Sequence, residues 1–122
     1  MFGIVGTIPE KDFPLVHGTV RLEGEQILIE NERVAVNRGT PAMIAAAVQV
    51  LNYLGKPSPY CYLVGDIGNG EGCKRLYEHL ITQITGIPFK TLALHYFQPD
   101  VGLFKQLLAS IDAMPVRPTL IA

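Results

Sequence analysis

No sign of charge dominates this chain: ten Lys and Arg face eleven Asp and Glu in 122 residues, a formal net charge of −1. With an isoelectric point near 6.3 and no local basic run, it offers no field for nucleic acid or an anionic membrane surface. Cysteine is nearly absent as well. Two thiols cannot build the dense disulfide framework of a small secreted domain, and no basic segment followed by an apolar one opens the chain, so a reduced, cytoplasmic setting is expected. The longest unbroken apolar run, Ala42 to Val48, falls far short of the roughly 20 residues that cross a bilayer. Low-complexity tracts, internal repeats and linkers are missing too, so residues 1–122 are expected to form one domain.

What is present is apolar material. Hydrophobic residues make up 48% of the chain against 17% charged, with mean hydropathy +0.26, which implies a dense core or apolar surface that something else covers. Phe2 to Gly6 is a short apolar run closed by Thr7, Ile8 and Pro9, as in a buried strand leading to a loop with Glu10, Lys11 and Asp12. From Gly18 to Val36 apolar residues alternate with polar ones: Val20 and Leu22, Ile27 and Ile29, Val34 and Val36. With turn-like breaks at Glu23-Gly24-Glu25 and Glu30-Asn31-Glu32, this predicts a small antiparallel flap over residues 17–38, apolar on one face and wet on the other.

The period then switches. Thr40 is a good N-cap and Pro41 suits the first helical position, and helical spacing continues to Gly55 through small apolar residues that suit a buried helix close to a neighbouring backbone. Tyr60 to Gly65 predicts a strand, followed by the glycine-rich loop Asp66–Gly72. A helix comes next, with Leu76, Leu80, Ile81 and Ile84 inward and Lys74, Arg75, Glu78, His79 and Gln83 outward. Phe89 to Phe97 predicts a strand, Val101 to Met114 a helix with Val101, Phe104, Leu107, Leu108 and Ile111 inward, and Pro118 to Ala122 a further buried strand. Strands alternating with helices imply an α/β three-layer sandwich with a mainly parallel sheet, to which the flap is added.

The chemistry-bearing feature is the loop after Gly65. Glycines let main-chain N–H groups approach a ligand, and the following helix presents unpaired donors and a positive dipole end, which suits a phosphate or a nucleotide ribose. Asp66, Gly68, Asn69, Gly70 and Gly72 are therefore candidate substrate-binding residues. An ordinary tight strand-to-helix connection is the alternative. The P-loop is excluded, since Cys73-Lys74-Arg75 follows the glycines where Gly-Lys-Ser/Thr would be required. Arg38, Gly39 and Thr40 form a second loop at a helix start and are candidates for an anionic group, against the plainer reading of a capped helix with a solvated arginine. Cys73 beside Lys74 and Arg75 has neighbours that lower a thiol pKa, but the simpler role is a packed side chain. His17, His79 and His95 are too scattered to show metal-ligand spacing. His95 fits a hydrogen-bonded core or pocket histidine, and no residue stands out as a general base.

Two stretches together resemble the N-terminal half of the ribokinase-like carbohydrate kinases, a superfamily that includes kinase-like NAD(P)H-hydrate dehydratases. They are the glycine-led, Ala-rich helix from Gly39 to Leu54-Gly55, and the strand with Val64-Gly65-Asp66-Ile67-Gly68-Asn69-Gly70-Glu71-Gly72 leading to a helix that ends before Gly86-Ile87. The motif-level likeness spans about Arg38 to Ile87. It implies a strand lid, matched by the flap, that shields substrate and can form a homodimer contact. Gly39 and Thr40 would lie near the substrate, with Gly65, Asp66, Gly68 and Gly70 in the turn after the next sheet strand. ATP and Mg²⁺ would serve as cofactors, bound by a glycine-rich anion hole and catalytic Asp in a C-terminal half that these residues do not contain. Ala46 or a close neighbour stands where ribokinases carry a sugar-binding Asn, which points away from a simple sugar.

The expectation is thus a sugar-kinase-like domain that binds a phosphorylated or nucleotide-like small molecule and lacks the ATP-side catalytic half. Kinase turnover is not expected from these residues alone, and 122 residues are expected to be roughly half of a larger fold. Two alternatives stand beside it. Asp66-x-Gly68-x-Gly70-x-Gly72 after an apolar strand also resembles the cofactor turn of S-adenosylmethionine-dependent methyltransferases, although the next strand lacks the acid that would hold a ribose. A non-enzymatic subunit dimerising through the flap's edge strands is the other.

Overall fold

The computed structural model describes every residue from Met1 to Ala122. In chain order, β1 (Phe2–Ile8) is followed by β2 (Val16–Thr19), β3 (Arg21–Glu23), β4 (Gln26–Ile29) and β5 (Glu32–Ala35). Then come α1 (Gly39–Tyr53), β6 (Tyr60–Gly65), α2 (Glu71–Gln83) with a 3₁₀ turn at Ile84–Gly86, β7 (Thr91–His95), α3 (Val101–Asp112) and β8 (Thr119–Ile121). The main sheet runs β2-β6-β1-β7-β8, and a separate antiparallel sheet runs β3-β4-β5. β6, β1, β7 and β8 are parallel, while β2 lies antiparallel on β6. The class is therefore α/β with a mainly parallel sheet and a small antiparallel one.

Both faces of β1 are covered, which is why its sequence reads as a continuous apolar run. Ile4 and Ile8 point to one face, where α1 and the small sheet pack through Ile44, Val48, Ile27 and Ile29. Val5 points to the other, joining Leu76, Leu80, Leu107 and Ile111 of α2 and α3. Gly6 fixes how closely α1 lies on the sheet: a Cβ there would overlap the side chain of Thr40. No helix is long and apolar enough to cross a membrane.

The flap prediction succeeds in pairing and needs correction in placement. Residues Val16–Thr19 belong to the main sheet, and the apolar face of β3–β5 is closed into the same core as α1, with Val20, Ile27 and Ile29 essentially inaccessible. β1 runs on to Ile8, and β7 is shorter than Phe89–Phe97. Phe89 folds over Gly3 before the strand begins, and Tyr96 leaves it through a left-handed turn at φ 51°. α1 begins one residue before Thr40, with Arg38 in the cap position and no side-chain cap. The Thr40 hydroxyl is drawn instead into a 2.9 Å hydrogen bond with Nδ1 of His95. α1 is buried on one side only, leaving Val50, Tyr53 and Leu54 exposed. Val101 at the start of α3 is exposed where it was expected inward, and β8 is an edge strand whose Thr119 and Ile121 face out.

His79 is the other departure from the expected wet face of α2. Its ring lies 4.8 Å from that of His17 on β2 and 5.9 Å from that of Tyr62 on β6. The His17 Nδ1 shares a 2.7 Å hydrogen bond with the Tyr60 hydroxyl, and the His17 N–H donates to Glu30. Nε2 of His79 and the hydroxyl of Tyr62 are buried without partners, so a proton on His79 gains nothing from its surroundings. Burial first, and then the neighbouring His17, hold the His79 pKa below the ordinary 6.5. The unfolded chain therefore binds this proton more readily than the folded one, so the contribution to stability is complete above about pH 6.5 and is lost as pH falls toward the folded pKa. Urea unfolding at about pH 7.5 and 5.5 should show a larger acid loss for the native protein than for His79→Gln; parallel losses would contradict this assignment.

Candidate functional site

The sheet order sets where a ligand can sit. From β1 the chain turns to β6 on one side, then crosses to β7 on the other, so the connections leaving β1 and β7 diverge at their carboxyl ends. Open α/β sheets bind ligands at such a switch point. Here that end carries an open groove of about 1420 Å³, walled by the β1 end (Thr7–Glu10), the end of β5 and the turn to α1 (Val34, Asn37, Arg38, Gly39), the glycine loop (Asp66, Ile67, Gly68), the β7–α3 segment from Tyr96 to Val101, and Lys105 of α3.

The glycine loop is built around one carboxylate. Asp66 Oδ1 accepts from the N–H of Gly68 at 2.7 Å and of Gly70 at 3.2 Å, while Oδ2 accepts from Cys73 at 2.9 Å. Asn69 Oδ1 takes the Glu71 N–H. Gly68 and Gly70 take left-handed φ values of 103° and 85°, so the loop can curl around the acid. Gly72 packs so tightly on the Gly65 carbonyl that a Cβ would overlap it. Burial pulls the Asp66 pKa up, but hydrogen bonds from Cys73, Gly68 and Gly70 outweigh it, and the net pKa lies below the ordinary value. At these amides the position expected for a ligand's anion is held by the chain's own carboxylate.

Other contacts extend this knot. Asp66 N–H donates to the Ile8 carbonyl and Gly65 N–H to that of Phe13. Gln98 donates from Nε2 to the Gly68 carbonyl at 2.8 Å and from its N–H to Cys73 Sγ at 3.4 Å, and its own carbonyl accepts from the Tyr77 hydroxyl. Cys73 is not the activated thiol its basic neighbours suggest. Burial and the adjacent Asp66 carboxylate push its pKa up to about 11, because Lys74 and Arg75 project to solvent while Sγ points inward.

The three helices that start at this end differ. Asp66 serves α2, and Asp100 caps α3 by accepting from the Leu103 N–H at 3.0 Å. α1 has no acidic residue in its first turn and no side-chain cap, and the exposed Arg38 stands at its start. Of the sequence candidates, the groove collects Arg38, Gly39, Asp66 and Gly68, while Asn69 and Gly70 line a smaller recess of about 220 Å³ behind Gln98. Thr40 and Gly72 are buried and line neither. His95 is a hydrogen-bonded histidine as expected, held by Thr40. Sequence reasoning missed Thr7, whose hydroxyl donates to the Tyr96 carbonyl at 2.9 Å, and missed Tyr96 and Gln98 themselves. The signal for them was their place at the carboxyl ends of strands, Thr7 near the end of β1 and Tyr96 and Gln98 just after β7, where α/β folds collect ligand contacts. No three His, Cys, Asp or Glu side chains converge as metal ligands do.

Comparison with protein-family models, curated proteins and solved structures finds no match to this chain.

Asp66→Asn replaces a charged acceptor with a neutral amide whose NH₂ must face a backbone N–H. Denaturant unfolding at neutral pH should show a loss of about 2 kcal/mol, in the range of hydrogen bonds to charged groups. Because the folded pKa is depressed, that difference should shrink as pH falls below about 3.9 and the native carboxyl is protonated. Unchanged stability at neutral pH would show that the carboxylate does not hold the loop.

Proposed function

We propose that this chain is a ribokinase-like, substrate-side domain that binds a phosphorylated or nucleotide-like small molecule in the groove between β1 and β7. The observation that carries the reading is the position of Arg38 and Gly39 on the wall of a large groove at the sheet's switch point. The uncapped positive pole of α1 lies beside Arg38, and the neighbouring helix starts are already served by Asp66 and Asp100. Lys105 of α3 also lines the groove, but only Arg38 stands at a helix start without an acid, so an anionic group on the ligand is best served there. The order of elements, with antiparallel strands between β1 and the Ala-rich α1, supports the ribokinase-like reading.

ATP and Mg²⁺, which the resemblance implies, do not fit the residues present. The Asp66 carboxylate is committed to three amides, no acidic cluster converges, and the loop glycines are followed by Cys73 and a solvent-facing Lys74 where Gly-Lys-Ser/Thr would be needed to hold a phosphate chain. The reading is therefore one of binding, not of phosphoryl transfer.

Titration calorimetry with AMP and adenosine tests it. AMP should bind at least about ten-fold more tightly than adenosine, the scale of one charge-assisted contact, and Arg38→Ala should erase the difference. Equal affinities, or a phosphate preference that survives Arg38→Ala, would contradict the reading.

A further inference from the structure

Of nine large apolar side chains left exposed, three line the same groove: Ile67 at 57%, Tyr96 at 69% and Val101 at 72%. Tyr96 is the most constrained. A bulky residue at φ 51° is strained, yet the position is fixed from three sides. Its carbonyl accepts from Thr7. Its ring lies 4.3 Å from that of His95, itself locked by Thr40, and its Cε2 would stand 3.4 Å from a Cβ on Gly39. The turn thus holds an aromatic face in solvent, directly beside the start of α1 and Arg38. A glycine would satisfy this backbone without strain, so the side chain itself needs an explanation.

We infer that Tyr96 is a specificity-determining residue, and that the ligand of this groove carries a planar unsaturated ring that stacks on Tyr96 while its anionic group meets Arg38 and the start of α1. The inference rests on the binding site proposed above and narrows its ligand from any small phosphorylated compound to a ring-bearing one. Ile67 and Val101 supply apolar edges to the same space. A bare sugar phosphate would satisfy Arg38 and leave this surface wet.

AMP and ribose 5-phosphate share the phosphate and differ in the ring. Calorimetry should show AMP binding about ten-fold more tightly, the scale of one aromatic–base stack. Tyr96→Phe should keep that ratio. Tyr96→Gly, which the left-handed backbone accepts without risk to folding, should bring the two ligands within about two-fold of each other while unfolding at the native temperature or above. Equal binding of AMP and ribose 5-phosphate to the native protein, or a ring preference that persists in Tyr96→Gly, overturns the inference and leaves the phosphate site standing. Adenosine binding that survives Tyr96→Gly also overturns it, whatever Arg38 does. Failure of all three compounds to bind at millimolar concentration removes the inference and the binding site together.

Discussion

The carboxylate of Asp66, held by the N–H groups of Cys73, Gly68 and Gly70, is the constraint on which the carboxyl end of this sheet depends. It turns a flexible glycine run into a closed loop and neutralises the start of α2 from within. Through Gly65 and Asp66 the same knot fastens the segment after β1, and through Cys73 and Gly68 it fastens Gln98 and the segment after β7. Three connections that would otherwise be mobile become walls. A groove with fixed walls can select a ligand without first ordering itself, which is a cost that binding otherwise bears.

This internal use of an acid redirects the chemistry of the site. An anion arriving at α2 would meet a carboxylate in the low-dielectric setting where repulsion is strongest. At α1 it would meet the positive pole of a helix that has no acidic cap, and Arg38. The close approach permitted by Gly6 brings Thr40, and so the start of α1, against the β1 and β7 ends, and the Thr40–His95 bond carries that placement to Tyr96. The strain at Tyr96 is over-determined by these neighbours, which is the condition under which strained residues persist.

Elements governed by local pattern were legible in the sequence. β6 runs from Tyr60 to Gly65 as predicted, and the alternation after Gly18 did mark antiparallel pairing. Residues whose role depends on distant partners were not. Thr40 has the local signature of a cap but spends its hydroxyl on a histidine 55 positions away. Cys73 has basic neighbours in sequence but an acidic one in space. His17 and His79, scattered along the chain, meet as tilted rings between β2 and α2. The glycine loop reads in the sequence as a turn suited to a phosphate or ribose, with an ordinary tight connection as the alternative, but glycine spacing does not say whether its amides await a ligand or already hold a side chain. The aspartate inside the motif decides that, through geometry that only the fold supplies.

The most direct measurement follows backbone amides in an ¹⁵N-labelled sample as AMP is added. The account predicts that the largest shifts fall on Gly39, Thr40 and Tyr96, with Gly68, Gly70 and Cys73 nearly still because their N–H groups remain on Asp66. Shifts concentrated at Gly68, Gly70 and Cys73, with the start of α1 unmoved, would contradict it and return the ligand to the glycine loop.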